Sequence, residues 1–121
     1  MSAEWLRREA LALPEAEERE TWGEATFRVR GRIFLMFGAD RTHASVKASL
    51  DDQAALLEMA PGTFSASAYT GRFGWVSVTL AGVEAGLMRR LVVAAWRRTA
   101  PRRLVAAYDS GAGPVQPRSR R

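Results

Sequence analysis

Apolar positions at the start of the chain recur at intervals of three and four: Trp5, Leu6, Ala10 and Leu13. That spacing predicts a helix over Ser2–Leu13, with Ser2 as its N-cap. Pro14 ends it, because the residue before a proline avoids helical geometry. The acidic stretch Glu15–Glu24 carries no such period and reads as a loop or a short edge strand. Two runs rich in β-branched and aromatic residues follow, Thr26–Arg30 and Arg32–Phe37, split by Gly31, which predicts a tight hairpin. A turn at Arg30-Gly31 places Phe27 and Phe34 on one face of the sheet and Arg28, Ile33 and Leu35 on the other. A third strand is expected at Ala44–Ala48.

The pattern then returns to a helical period. Ser49 or Asp51 can cap a helix over Asp52–Ala60 with an apolar stripe of Ala55, Leu56 and Met59, and Pro61-Gly62 stops it. Residues Thr63–Phe73 are loop-rich with room for a short strand at the start. In Trp75–Leu80, Val76, Val78 and Leu80 alternate with Trp75, Ser77 and Thr79, a strand period. The last long helix is expected over Glu84–Thr99. Its buried arc is Leu87, Met88, Leu91, Ala94 and Ala95, with Arg89, Arg90 and Arg97 opposite. Pro101 opens a short final helix, Arg102–Tyr108. Helices and hairpins are segregated along the chain, which argues for α+β: an antiparallel sheet with helices packed on one face. One domain over 1–108 and a flexible basic tail over 109–121 complete the expectation.

Composition and charge change this picture. The chain has 121 residues, 47% hydrophobic and 26% charged, enough for one core without staples. It has no cysteine, which removes disulfides, thiolate metal sites and a cysteine nucleophile together. The N-terminal residues lack the apolar run of a signal peptide, and no stretch suits a membrane span, so the expected location is the cytoplasm. Charge is uneven. The net charge is +5, yet the first sixty residues are net acidic and the remainder strongly basic. Clustered cations draw polyanions, so DNA becomes an expected partner; Arg-rich compositional drift is the competing explanation.

Candidate chemistry is sparse. His43 is the only histidine, so the usual nucleophile–base pairs and two-histidine metal sites are missing, and it reads as a surface residue. Gly71-Arg72-Phe73-Gly74 lacks the ending of a phosphate loop and leads into a strand, so it reads as a turn. The glutamates of 15–24 form a sequential run, which is more often a solvated loop than a converging metal site. A non-enzymatic binding module is therefore expected, with no cofactor and no metal. The open sheet face would show Arg28, Ile33, Leu35, Ser45, Lys47, Trp75 and Ser77. Cations beside an aromatic suit nucleic acid, with Arg28, Lys47, Arg72 and Trp75 as candidates and Arg89, Arg90 and Arg97 as phosphate contacts. Ile33, Leu35 and Trp75 on the same face could instead seat a protein partner or a second copy of the chain. Cover by a helix or the tail, and a solvated face for the helix arginines, are the bland alternatives.

Several segments in order carry a family resemblance: Trp22-Gly23, Phe27-Arg28-Val29, Ile33-Phe34, Ser45-Val46-Lys47, Tyr69-Thr70-Gly71-Arg72-Phe73-Gly74-Trp75-Val76, Trp96, and Pro101–Tyr108. Together they resemble the MmcQ/YjbR family over about residues 3–108. The resemblance implies a two-layer fold of α-β3-α-β2-α order, related in shape to secretion chaperones, and a DNA-binding role by analogy of fold. The positions that match are Trp22, Gly23, Lys47, Gly71, Arg72 and Trp75. Phe73 departs from the polar or basic residue common in that family, which lowers the positive charge of the turn.

Overall fold

The computed structural model describes residues 1–111; the expected tail lies outside the described residues from 112 onward. Helix α1 (Ala3–Leu11) starts where the sequence places it, with the Ser2 side chain accepting from the Trp5 N–H, and ends just short of Pro14. Strands β1 (Ala16–Thr21), β2 (Glu24–Val29), β3 (Arg32–Phe37) and β4 (His43–Val46) follow. Helix α2 (Leu50–Met59), strands β5 (Phe64–Ala66) and β6 (Val76–Thr79), and helices α3 (Ala85–Thr99) and α4 (Arg102–Asp109) complete the order. The six strands form one sheet in the order β1-β2-β3-β4-β6-β5, with every neighbouring pair antiparallel. The acidic stretch thus supplies an extra strand at the sheet edge. Its row of charged side chains suits an edge, where it opposes pairing with another chain.

One face of the sheet and the helices enclose the core. Ala25, Phe27, Val29, Phe37, Ala44, Val46, Val76 and Val78 are buried from the sheet, and Leu6, Ala10, Met88, Val92, Ala95 and Trp96 from α1 and α3. Phe27 and Phe37 meet edge to face with centroids 5.5 Å apart, a favoured aromatic geometry. The indole N–H of Trp96 donates to the Pro14 carbonyl oxygen at 3.0 Å, and its ring packs on Tyr108. Trp96 therefore ties α3 to the α1–β1 connection and to α4.

Three expectations are corrected. Leu35 does not belong to the open face; it is fully buried. The β2–β3 register steps from Phe27↔Leu35 to Arg28↔Ile33, so Phe34 is an extra residue in a bulge. A bulge breaks strict alternation, and both Phe34 and Leu35 are buried. On α2 the inward residues are Leu56 and, in part, Gln53 and Leu57, whereas Ala55 and Met59 are exposed. On α3 the buried arc is Met88, Val92, Ala95, Trp96 and Thr99; Leu87 and Leu91 lie at its border and Ala94 is exposed. Among the described residues, no helix is long and apolar enough to cross a membrane.

Candidate nucleic-acid interface

The other sheet face carries no helix among the described residues, and register assigns its side chains in rows. One row reads Thr26, Met36, Ser45, Ser77 and Ser65 from β2 to β5. The next row begins with the Arg28–Ile33 pair. It continues through Lys47 and Trp75, each one residue beyond the Val46–Val76 pair and so on the opposite side of the sheet from those valines. All four of Arg28, Ile33, Lys47 and Trp75 are half-buried. At normal strand spacing the row spans about 14 Å.

The cations of this face are held in different ways. Arg28 donates to Thr26 Oγ1, the Gly31 carbonyl and Thr21 Oγ1, all neutral acceptors. Neither Arg28 nor Lys47 has a carboxylate within ion-pair distance among the described residues. Arg72, in the turn before Trp75, is exposed and stacks over the Phe73 ring at 4.7 Å. Two carboxylates share the face: Glu17 bonds Arg19 at 3.0 Å, and Glu24 stands at the far end of β2.

The arginines of α3 are engaged elsewhere. Arg89 donates to Glu9 at 2.7 Å and lies over the Trp5 ring, and Arg97 pairs with Asp109. Arg90 is exposed and near enough to Glu84 to help hold that carboxylate below its usual range, behind the larger effects of the Gly86 and Leu87 N–H donors. The structure thus gathers Arg28, Lys47, Ile33 and Trp75 in one row and does not bring Arg89, Arg90 or Arg97 to it.

A cleft of about 340 Å³ opens on the same face beside this row, a feature that sequence reasoning missed. Glu24, Met36, His43, Ser45 and Ser77 line it from the sheet, and Ala68, Tyr69 and Thr70 line it from the loop that follows β5. Alternation places Ser45 and Ser77 outward, but nothing in the sequence shows that the loop folds back. The loop is pinned: Ser67 Oγ bonds Ser45 Oγ at 2.9 Å, the Gly71 N–H donates to Ser67 O at 2.8 Å, and Gln53 Nε2 donates to Gly71 O and Trp75 O. His43 Nδ1 pairs with Thr42 Oγ1, which donates to Asp40. The Thr42 N–H and then its hydroxyl hold the Asp40 carboxyl below its usual range. Among the described residues, no three His, Asp or Glu side chains converge as a metal site.

Fold and site together define a two-layer α+β domain whose helix-free sheet face carries cations without carboxylate partners among the described residues. A YjbR family model matches residues 11–98, and the chain belongs to the YjbR family. Its fold is similar to that of protein DR2400 of Deinococcus radiodurans, a DUF419-domain protein of known crystal structure. The TM-score is 0.74 and the identity 22%, with 80% of this chain and 77% of that one covered. No curated protein matches the chain. Neither the family's name nor that of the structural neighbour specifies a ligand or a reaction.

Proposed function

We propose that this chain is a non-enzymatic, cytoplasmic nucleic-acid-binding module that holds phosphates along its helix-free sheet face. The observation that supports this reading is the row itself, which sets two cations without a carboxylate partner among the described residues in line with an aromatic ring. Among the described residues Arg7, Arg19, Arg30, Arg89, Arg97 and Arg98 are paired with carboxylates, while Arg8, Arg32, Arg41, Arg72, Arg90, Arg102 and Arg103 are not. Arg28 and Lys47, in the same row as Trp75, have no such partner among the described residues either. Cations not paired to a carboxylate gain from a phosphate backbone, which releases its own counterions on binding. Trp75 adds a ring that a base can stack on. Binding of a mixed-sequence oligonucleotide should weaken steeply with salt, by roughly one power of salt concentration per phosphate contacted. Lys47→Glu should remove most of that binding, measured by fluorescence anisotropy. An affinity that ignores both salt and Lys47→Glu would sink the proposal.

A second reading, a protein partner or a second copy docking on this face, is favoured by the exposed rings of Trp22, Tyr69 and Phe73, 98%, 94% and 63% accessible. Ile33 and Trp75 would then carry it; Leu35, buried, is withdrawn from that set. Sedimentation of the parent and of Trp75→Glu tests it: a concentration-dependent dimer lost in the variant supports self-association, and a monomer at all concentrations removes that form of it.

A further inference from the structure

The cleft beside the cation row is not used by phosphate contact, yet it is built as a binding site. Met36 lines it beside the hydroxyls of Ser45, Ser77 and Thr70, and Glu24 offers a carboxylate without an ion-pair partner among the described residues. Tyr69 also lines it, almost fully exposed, at φ 65°. That conformation is uncommon for an L-residue, and in this chain Glu15, Trp22, Arg30 and Arg41 share it. Here the pinned loop sets the Tyr69 backbone at the edge of the cleft, and its exposed ring is free to stack on a ligand.

We infer that the cleft takes an unpaired base of a single-stranded nucleic acid whose phosphates run along the Arg28–Lys47 row, an inference that rests on the nucleic-acid reading above. Each part of the cleft suits a base. Tyr69 supplies a face to stack on. The hydroxyls both donate and accept, matching the mixed edge of a base. Glu24 accepts from an exocyclic amine, as carboxylates do from cytosine N4. The cleft row and the cation row are two residues apart along β2, β4 and β6, and three along β3 where the bulge lies, a separation of about 7 Å, on the scale of one nucleotide from phosphate to base. A duplex cannot fill this cleft without extruding a base from its stack, and its bases are otherwise occupied by pairing.

The test is fluorescence anisotropy with a labelled oligodeoxycytidylate, alone and annealed to its complement, against the parent, Tyr69→Ala, Tyr69→Phe and Lys47→Glu. The single strand is expected to bind at least roughly tenfold tighter than the duplex. Tyr69→Ala should cost the single strand roughly fivefold or more, within the range of base–aromatic stacking, while Tyr69→Phe keeps the ring and stays close to the parent. Lys47→Glu should weaken both forms. Tyr69 lies outside the core, and an unchanged urea midpoint confirms that the variants are folded. Equal binding of duplex and single strand, or a Tyr69→Ala protein that binds the single strand like the parent, overturns the base cleft. A loss in Lys47→Glu then leaves the phosphate row standing; no loss in either variant removes both.

Discussion

Gly74 shows how a single residue shapes this surface. It sits at φ 106°, and a Cβ there would lie 2.2 Å from the Ala48 carbonyl oxygen and 2.9 Å from the Ser49 carbonyl carbon. The turn that delivers Arg72 and Trp75 can therefore close against the β4–α2 connection only without a side chain. Gly74→Ala combines left-handed strain with a clash against backbone that cannot yield, and should cost about 3 kcal/mol in urea denaturation. Trp22 gives the opposite case. It occupies a left-handed position in the β1–β2 turn at φ 54°, where asparagine is the residue the turn geometry favours. Since its ring touches almost nothing, Trp22→Asn should raise stability, by up to about 1 kcal/mol. A fall in the denaturation midpoint would show that the ring packs somewhere after all.

At the scale of elements, α3 depends on its cap. The Glu84 carboxylate accepts from the Gly86 and Leu87 N–H groups, both at 2.9 Å, and those bonds hold its carboxyl below the usual value of 4.5. A depressed carboxyl contributes stability that is present above its unfolded pKa and is lost as pH falls through the folded one. Glu15, through Arg30, and Asp40, through Thr42, act in the same direction. Thermal stability should therefore fall as pH drops below about 4.5, and Glu84→Gln should flatten part of that fall. If the parent and Glu84→Gln lose stability in parallel across this range, the cap carboxylate is not responsible. The helices also show where pattern reading slips. Gln53 turns inward on α2 because the Gly71 and Trp75 carbonyls take its amide hydrogens. Thr99 is buried on α3 because its hydroxyl donates to the Ala95 carbonyl. A polar residue with a partner can occupy an inward position, and hydrophobicity alone does not foresee the partner.

For the whole molecule the telling quantity is where the charge ends up. The acidic first half folds onto the basic second half: Glu9 pairs with Arg89, and Asp52 approaches Arg98 at 3.8 Å. Exposed pairs such as these contribute little to stability, but each sets a carboxylate beside an α3 arginine. Arg89→Ala and Arg97→Ala should accordingly change nucleic-acid affinity by less than about twofold, while Arg28→Ala and Lys47→Ala each reduce the salt slope by about one. Equal losses from all four would mean that binding spreads over both sides of the domain.

By itself the sequence determined the α+β class, the order of the main elements, the β2–β3 hairpin, the cap at Ser2 and the outward side of Arg28, Ile33, Lys47 and Trp75. All of these follow from local period, turn residues and alternation, which neighbours in the chain dictate. Tertiary structure alone decided three things. The bulge at Phe34 put Leu35 in the core, because one extra residue reverses the side on which later positions fall. Folding brought Glu9 and Asp109 to α3 arginines that the helical wheel left free, since ion pairs between distant segments leave no trace in local pattern. The cleft under Tyr69 exists because Ser67, Gly71 and Gln53 pin a loop onto the sheet face. The open face itself was legible from alternation; its shape required contacts between residues far apart in the chain.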